Sequence, residues 1–422
     1  MDELYRSPEN ADVNGATRTA AIAWLITAVY YFYQYTLRSA PSVMMPELGG
    51  AFGLTAMGVA SLVGLFYYAY SPFSLVAGVA MDRIGPRRVI PIGAATVGVG
   101  ALLFGSGSSD LASIGRLLQG AGGVFALIGA AYIATTNFPA SRAATLIGAT
   151  QMFGMAGGSA GQFVVGPMIA SGVSWNAFWI AMGLAGLAIS ALLFVFLPKP
   201  VPKPPSADGL KGPLRDMKTV FLNPQSILCG IIAGLIFIPT TIFDMVWGVR
   251  YLQDARGFDY GTAVMRSAMV PFGWISDRIG RRKPVIIGGA SVLLACLALI
   301  LFGPTSLLPP YVLALTAGIG SGAAMLPYTV IKEANPPNVS GTATGVVNFI
   351  NFTFSALLGP VFGGLLMAAK GEAAGMTLEH YQTAFVPMLY GVALAIVLTL
   401  ILRETGPAAA RPRVPIAVRE AT

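Results

Sequence analysis

Charge is scarce in this 422-residue chain, where Asp, Glu, Lys and Arg together make up 10% of the sequence; ordinary soluble domains carry roughly 25%. That shortage excludes a water-soluble globule. With 55% hydrophobic residues and a mean hydropathy of +0.70, lipid is the expected solvent. Cysteine is nearly absent too, and Cys229 and Cys296 both stand in apolar runs, so neither a disulfide framework nor a thiolate metal site is available. The single histidine, His380, closes off histidine chemistry. No cofactor and no metal are expected. Outer-membrane barrels alternate apolar and polar residues in segments of about ten, and the apolar stretches here are long and unbroken. The first nineteen residues include Asp2, Glu3, Glu9 and Asp12 instead of a basic start and an apolar centre. They do not read as a cleaved signal, and the amino terminus is expected to stay in the cytoplasm.

A helix needs about 20 apolar residues to cross a bilayer. Such runs lie at about 20 to 46, 55 to 81, 89 to 107, 111 to 136, 143 to 170, 174 to 197, 225 to 250, 260 to 276, 284 to 304, 308 to 331, 341 to 369 and 381 to 402, which predicts twelve spans. If the amino terminus is inside, Arg250, Arg256 and Lys370 face the other side and Arg38, Arg116 and Arg266 lie within spans, leaving twenty of the 26 basic residues in cytoplasmic segments. That bias is the positive-inside pattern and puts both termini in the cytoplasm. It also accounts for the net charge of +8 without a nucleic-acid partner, since the charges are scattered over loops and not gathered on one soluble face. The polar, Pro- and Lys-rich stretch from Pro198 to Pro224 divides the spans six and six. The expected organisation is a cytoplasmic tail over 1–19, a six-helix bundle over 20–197, a cytoplasmic linker over 198–224, a second bundle over 225–403 and a cytoplasmic tail over 404–422.

The two halves repeat one another. After span two the chain reads Gly78-Val79-Ala80-Met81-Asp82-Arg83-Ile84-Gly85-Pro86-Arg87-Arg88, and after span eight Gly273-Trp274-Ile275-Ser276-Asp277-Arg278-Ile279-Gly280-Arg281-Arg282, 195 residues later. A lone Asp-Arg-x-Gly would be a charged turn; two copies after matching spans resemble the major facilitator superfamily, whose signature at this loop is G-x-x-x-D-[RK]-x-G-[RK]-[RK]. The second copy fits throughout and the first departs at Pro86. The resemblance implies an all-α membrane protein of twelve transmembrane helices in two pseudo-symmetric six-helix bundles, and a secondary transporter instead of an enzyme. It makes both loops a candidate cytoplasmic gate, in which the small residue lets helices approach, the aspartate caps or pairs, and the basic cluster meets anionic lipid. Arg116-Leu117-Leu118-Gln119-Gly120 in span four is similar to the superfamily's R-x-x-x-G element, which makes Arg116 a candidate in proton coupling or gating.

Glycines 154, 158 and 161 before Gly166-Pro167, and Gly359-Pro360 before Gly363 and Gly364, read as close helix packing with a proline bend. The G-x-S-x-G at Gly157, Ser159 and Gly161 is packing glycine as well, because no histidine or strand-to-helix elbow accompanies it. Span eight is about ten residues shorter than its repeat, and its 16 residues from Tyr260 to Ile275 span roughly 24 Å as a helix. Either a deletion or a stretch missing near Pro271 to Trp274 explains that.

Charged residues inside spans usually face a cavity. In span one Tyr31, Gln34, Tyr35 and Arg38 share one helical face, a composition suited to a carboxylate or phosphate because arginine offers a planar fork of donors. Tyr67 and Tyr70 add hydroxyls from span two, Arg266 approaches from span eight, and Gln151 and Asn348 are candidate neutral partners in spans five and eleven. Asp244, an acid inside span seven, matches Arg38 in the repeat and is the candidate proton carrier, with a structural ion pair as the alternative. The leading expectation is a proton-coupled or exchange carrier of a small organic anion or amino-acid-like solute, multi-pass in the inner membrane and monomeric. A multidrug or sugar-type exporter and a non-transporting membrane receptor are the alternatives; a channel filter or a catalytic constellation is not found in the sequence.

Overall fold

The computed structural model describes residues 8–197, 211–259, 262, 281–304, 310–336, 339–373 and 375–405, and every element among them is helical. In chain order these are α1 (Pro8–Ser39), α2 (Met45–Phe52), α3 (Ala56–Arg83), α4 (Pro86–Phe104), α5 (Ser109–Asn137), α6 (Ala140–Phe163), α7 (Val165–Ala170) and α8 (Trp175–Phe196). They continue with α9 (Lys211–Leu222), α10 (Pro224–Ile238), a π-helical stretch Pro239–Trp247, α11 (Gly248–Asp254), α12 (Lys283–Phe302), α13 (Pro310–Ser321), α14 (Leu326–Glu333), α15 (Ser340–Lys370) and α16 (Leu378–Ile401). Nine helical stretches among the described residues are long and apolar enough to cross a membrane, and α1 and the α6–α7 pair are not among them. Apart from Thr262, the predicted eighth span with Arg266 and Gly273 and the loop residues Asp277, Arg278 and Gly280 lie outside the described residues.

Helical structure extends into both of the polar segments. The tail expected over 1–19 is helical from Pro8. The linker expected over 198–224 contains α9, on which Val220 is buried while Leu214 and Leu222 are exposed. Span one also stops early: Pro41 opens a tight 3-10 turn and Pro46 a new short helix, since proline removes the amide that would continue the ladder. Elsewhere loops end on short polar caps. Thr55, Ser108, Ser174 and Asn223 each accept a backbone N–H from the first turn of their helix, satisfying donors that have no other partner. His380 belongs to such a cap, its Nδ1 accepting from the Thr377 amide at 3.2 Å.

Side-chain placement is inverted relative to a soluble protein. Leu184, Val195, Leu400 and Ile401 are exposed, while Gln34, Arg38, Arg116, Gln119, Asn348 and Asn351 are buried. A surface of that kind suits hydrocarbon, which offers no hydrogen bonds. The helices approach closely at glycine. Cβ atoms at Gly154, Gly157 and Gly161 of α6 would overlap the Tyr31 ring, the Phe32 carbonyl oxygen and Ser39 Oγ of α1. Of the glycines around Pro360 on α15, Gly363 plays that part, against Met57, whereas Gly359 and Gly364 have open space beside them. The α3–α15 seam runs from Gly363 past Gly345, where a Cβ would meet the Ser74 carbonyl oxygen at 2.9 Å, to Gly341 opposite Gly78. The end of the molecule that carries Gly78 and Arg282 is called the motif end below, and the opposite one the far end.

Candidate functional site

Arg38 closes the last turn of α1 and is 1% exposed. Five rings surround its guanidinium carbon: Phe352 at 4.6 Å, Tyr67 at 4.7 Å, Tyr35 at 4.8 Å, Phe66 at 5.1 Å and Tyr70 at 5.3 Å. Its Nε donates to Tyr67 Oη at 3.2 Å, whereas Nη1 and Nη2 have no hydrogen-bond partner. Among the described residues no carboxylate pairs with it. Ring faces attract a cation electrostatically, but they cannot satisfy four in-plane N–H donors, and an uncompensated buried charge costs several kcal/mol. A carboxylate or phosphate presenting two oxygens to the fork would remove that cost. One turn earlier on the same face, both amide atoms of buried Gln34 also lack partners, and Gly123 leaves room for them: a Cβ there would lie 3.1 Å from Gln34 Oε1.

A second layer ties the cage to the other half of the chain. Tyr328 Oη donates to Asn348 Oδ1 at 2.6 Å and accepts from Asn351 Nδ2 at 3.0 Å. Asn348 Nδ2 donates to Ser74 Oγ at 3.2 Å, while Asn351 Oδ1 is buried without a partner. Tyr31 stacks edge-on against Tyr35 at 4.9 Å and donates to Gln151 Oε1 at 3.1 Å. Toward the motif end the seam is zipped: Ser71 Oγ donates to the Phe349 carbonyl at 2.8 Å and lies 2.7 Å from Thr353 Oγ1. From the far end a narrow cleft lined by Ser61, Gly64, Thr241, Trp247 and Ser355 reaches Tyr67. Tyr67 thus separates the cleft from the guanidinium.

The structure therefore gathers Tyr35, Arg38, Tyr67 and Tyr70 in one cage, with Gln34 one turn and Tyr31 two turns earlier on α1 and Gln151 and Asn348 further out. Tyr68 points away and is exposed. Arg116 is also fully buried, but its donors are occupied: Nε and Nη2 bond the Val63 carbonyl at 3.3 and 3.1 Å, and Nη1 bonds the Leu37 carbonyl at 3.1 Å and Gln119 Oε1 at 2.7 Å. It ties α5 to α3 and α1. Asp244 is buried within the π-helical stretch, where Gln162 Nε2 donates to its backbone carbonyl at 3.1 Å. Phe66, Phe352, Tyr328 and Asn351 were not foreseen. Asn351 and Phe352 follow Asn348 by three and four residues, a shared face that the helical period could have flagged; Phe66 and Tyr328 carry no such signal.

At the motif end Gly85 takes φ +88, a left-handed turn that only glycine adopts without strain. Gly78 packs on Gly341, and Asp82 and Arg83 end α3. Arg87 is half-buried and Arg88 exposed. In the second copy Arg281 is exposed, and Arg282 pairs with Glu333 at 3.1 Å. Glu404 accepts the Arg282 and Lys283 amides at 2.8 and 3.2 Å, capping α12 with a carboxylate where the helix dipole favours one.

The Major Facilitator Superfamily model matches residues 27–360 and, overlapping it, 268–419. A hexuronate transporter of Bacillus subtilis (strain 168) is 25% identical over 378 residues, covering 81% of this chain and 86% of that protein. The membrane sensor protein UhpC of Salmonella typhimurium (strain LT2) is 25% identical over 377 residues, covering 80% and 82%. Among solved structures, a bacterial homolog of the human lysosomal transporter Spinster, inward-facing and unoccupied, superimposes with a TM-score of 0.66 at 15% identity, over 91% of this chain and 97% of that one.

Proposed function

The chain belongs to the major facilitator superfamily, and from that premise we propose that it carries a small organic anion across the bacterial inner membrane by alternating access. The observation that supports the reading is the Arg38 fork, buried, ringed by aromatics and left with two nitrogens for an anion. The similarity to a hexuronate transporter agrees with a carboxylate solute. An amino-acid-like solute fits less well, because its ammonium group would need a carboxylate and the described cage holds none. In this reading residues 20–197 and 225–403 are the two rocking bodies, joined by the cytoplasmic linker 198–224 with the termini on the same side. The cleft that ends on Tyr67 is the approach from the far end, and the Ser71–Thr353 seam bars the motif end.

A second reading is a sensor that binds the anion without moving it, favoured by the similarity to a membrane sensor protein. Counterflow in liposomes separates the two. Purified protein is expected to exchange labelled hexuronate or another hydroxycarboxylate against an internal pool of the same solute; binding without exchange would favour the sensor, and neither binding nor exchange across a carboxylate panel would overturn the anion reading.

Coupling is assigned to Asp244. A carboxyl buried in a π-helical stretch, where the ladder is locally rearranged, is placed as functional groups often are. Asp244→Asn removes the titration and keeps the shape. Uptake driven by a pH gradient is expected to be lost while counterflow persists, and unchanged pH-driven uptake would remove Asp244 from the coupling.

A further inference from the structure

The first motif loop does more than turn the chain. A recess at the motif end is lined by Ile84, Arg87, Arg88 and Phe194, between the start of α4 and the end of α8. One turn deeper the two helices are joined by Ser190 Oγ donating to the Pro91 carbonyl at 2.8 Å, and the recess lies on the motif-end side of that bond. Arg88 is exposed and Arg87 half-buried. Among the described residues neither side chain has a hydrogen-bond or ion-pair partner, unlike Arg282 of the second copy, which is held by Glu333. The opposite walls are apolar and open, with Ile84 53% and Phe194 45% exposed. The recess lies at the ends of two stretches long and apolar enough to cross a membrane, Pro86–Phe104 and Trp175–Phe196, where a lipid headgroup is expected.

We propose that this recess is a binding site for an anionic phospholipid, its phosphate held by the Arg87 and Arg88 guanidiniums and its first acyl carbons lying on Ile84 and Phe194. Each part of the recess matches one part of such a molecule. Two arginines lining one recess offer planar donor forks to phosphate oxygens. An exposed phenyl ring just below them is where the glycerol and upper chain of a lipid sit when its headgroup is at the boundary. A free phosphate would use the arginines and ignore the ring; a zwitterionic lipid would use the ring but place its own cation beside the two arginines. The site is separate from the Arg38 cage and does not depend on what the protein transports.

The test titrates the purified full-length protein in neutral detergent with phosphatidylglycerol, phosphatidylcholine and inorganic phosphate, reading bound adducts by native mass spectrometry. Phosphatidylglycerol is expected to bind in preference to phosphatidylcholine, and to weaken about five-fold for each of Arg87→Gln and Arg88→Gln, the effect of one basic residue at an anionic surface. Phe194→Ser is expected to weaken the lipid and leave phosphate unaffected. Because neither arginine side chain has a hydrogen-bond or ion-pair partner among the described residues, both variants should elute as the parent does, and Phe194→Ser supplies an independent probe. Arg142→Gln, an exposed arginine at the same end, is the control. Equal binding of the two lipids, an effect of Arg142→Gln as large as that of Arg87→Gln, or inorganic phosphate competing fully with the lipid at equal concentration would overturn the proposal.

Discussion

Arg38→Met is expected to lower anion exchange by about two orders of magnitude or more while leaving the unliganded protein as stable as the parent or more so. The two effects have opposite signs because they come from one feature. Truncating the cationic partner of a buried charge contact costs about 2–5 kcal/mol of binding. In the empty protein the same guanidinium is a buried cation with two unpartnered nitrogens, and replacing such a group by an apolar one of similar length relieves the desolvation cost. Arg38→Lys keeps the charge and loses the fork, so it should retain a small part of the activity. Counterflow and thermal unfolding in detergent, run on the same preparations, check both halves. A variant that exchanges normally would remove Arg38 from the site, and one that unfolds readily without ligand would make it a structural residue.

Gly120→Val is the variant with the largest expected effect on folding. Gly120 sits where α5 crosses α3, and a Cβ there would overlap the Phe66 carbonyl oxygen and come within 3.1 Å of the Tyr70 amide. Both contacts are backbone, so no side chain can rotate out of the way. Small residues are what allow helices to pack at this distance in lipid. Overpacking of this kind costs about 1–3 kcal/mol even where side chains can shift, and with two backbones in opposition about 3 kcal/mol or more is expected. The effect should reach the site too, because α3 supplies Phe66, Tyr67 and Tyr70 to the cage. Gly148→Val is the matched control, with nothing within 4 Å of its Cβ. Thermal unfolding should separate the two variants clearly; equal midpoints would contradict the crossing.

Composition alone was enough to identify lipid as the solvent, because a chain with so few charges cannot solvate its surface in water, and the repeated loop with its Asp-Arg-x-Gly carried the family. The Tyr31, Gln34, Tyr35 and Arg38 face was legible for a similar reason: one helix sets it, and helical spacing is a local property. What stands around that face was not. Phe352 and Tyr328 reach it from helices more than 250 residues along the chain, and no local periodicity records which helices become neighbours.

Arg38 and Arg116 show the difference most clearly. Both are arginines inside apolar helices and both are buried, so the sequence gives them equal standing as functional charges. Packing separates them: α5 aims Arg116 at the Val63 and Leu37 carbonyls, which occupy its donors, while α1 aims Arg38 into a cage of rings that leaves its fork open. Which buried charge is satisfied depends on where neighbouring backbones present their carbonyl oxygens, and that is decided only when the helices have packed.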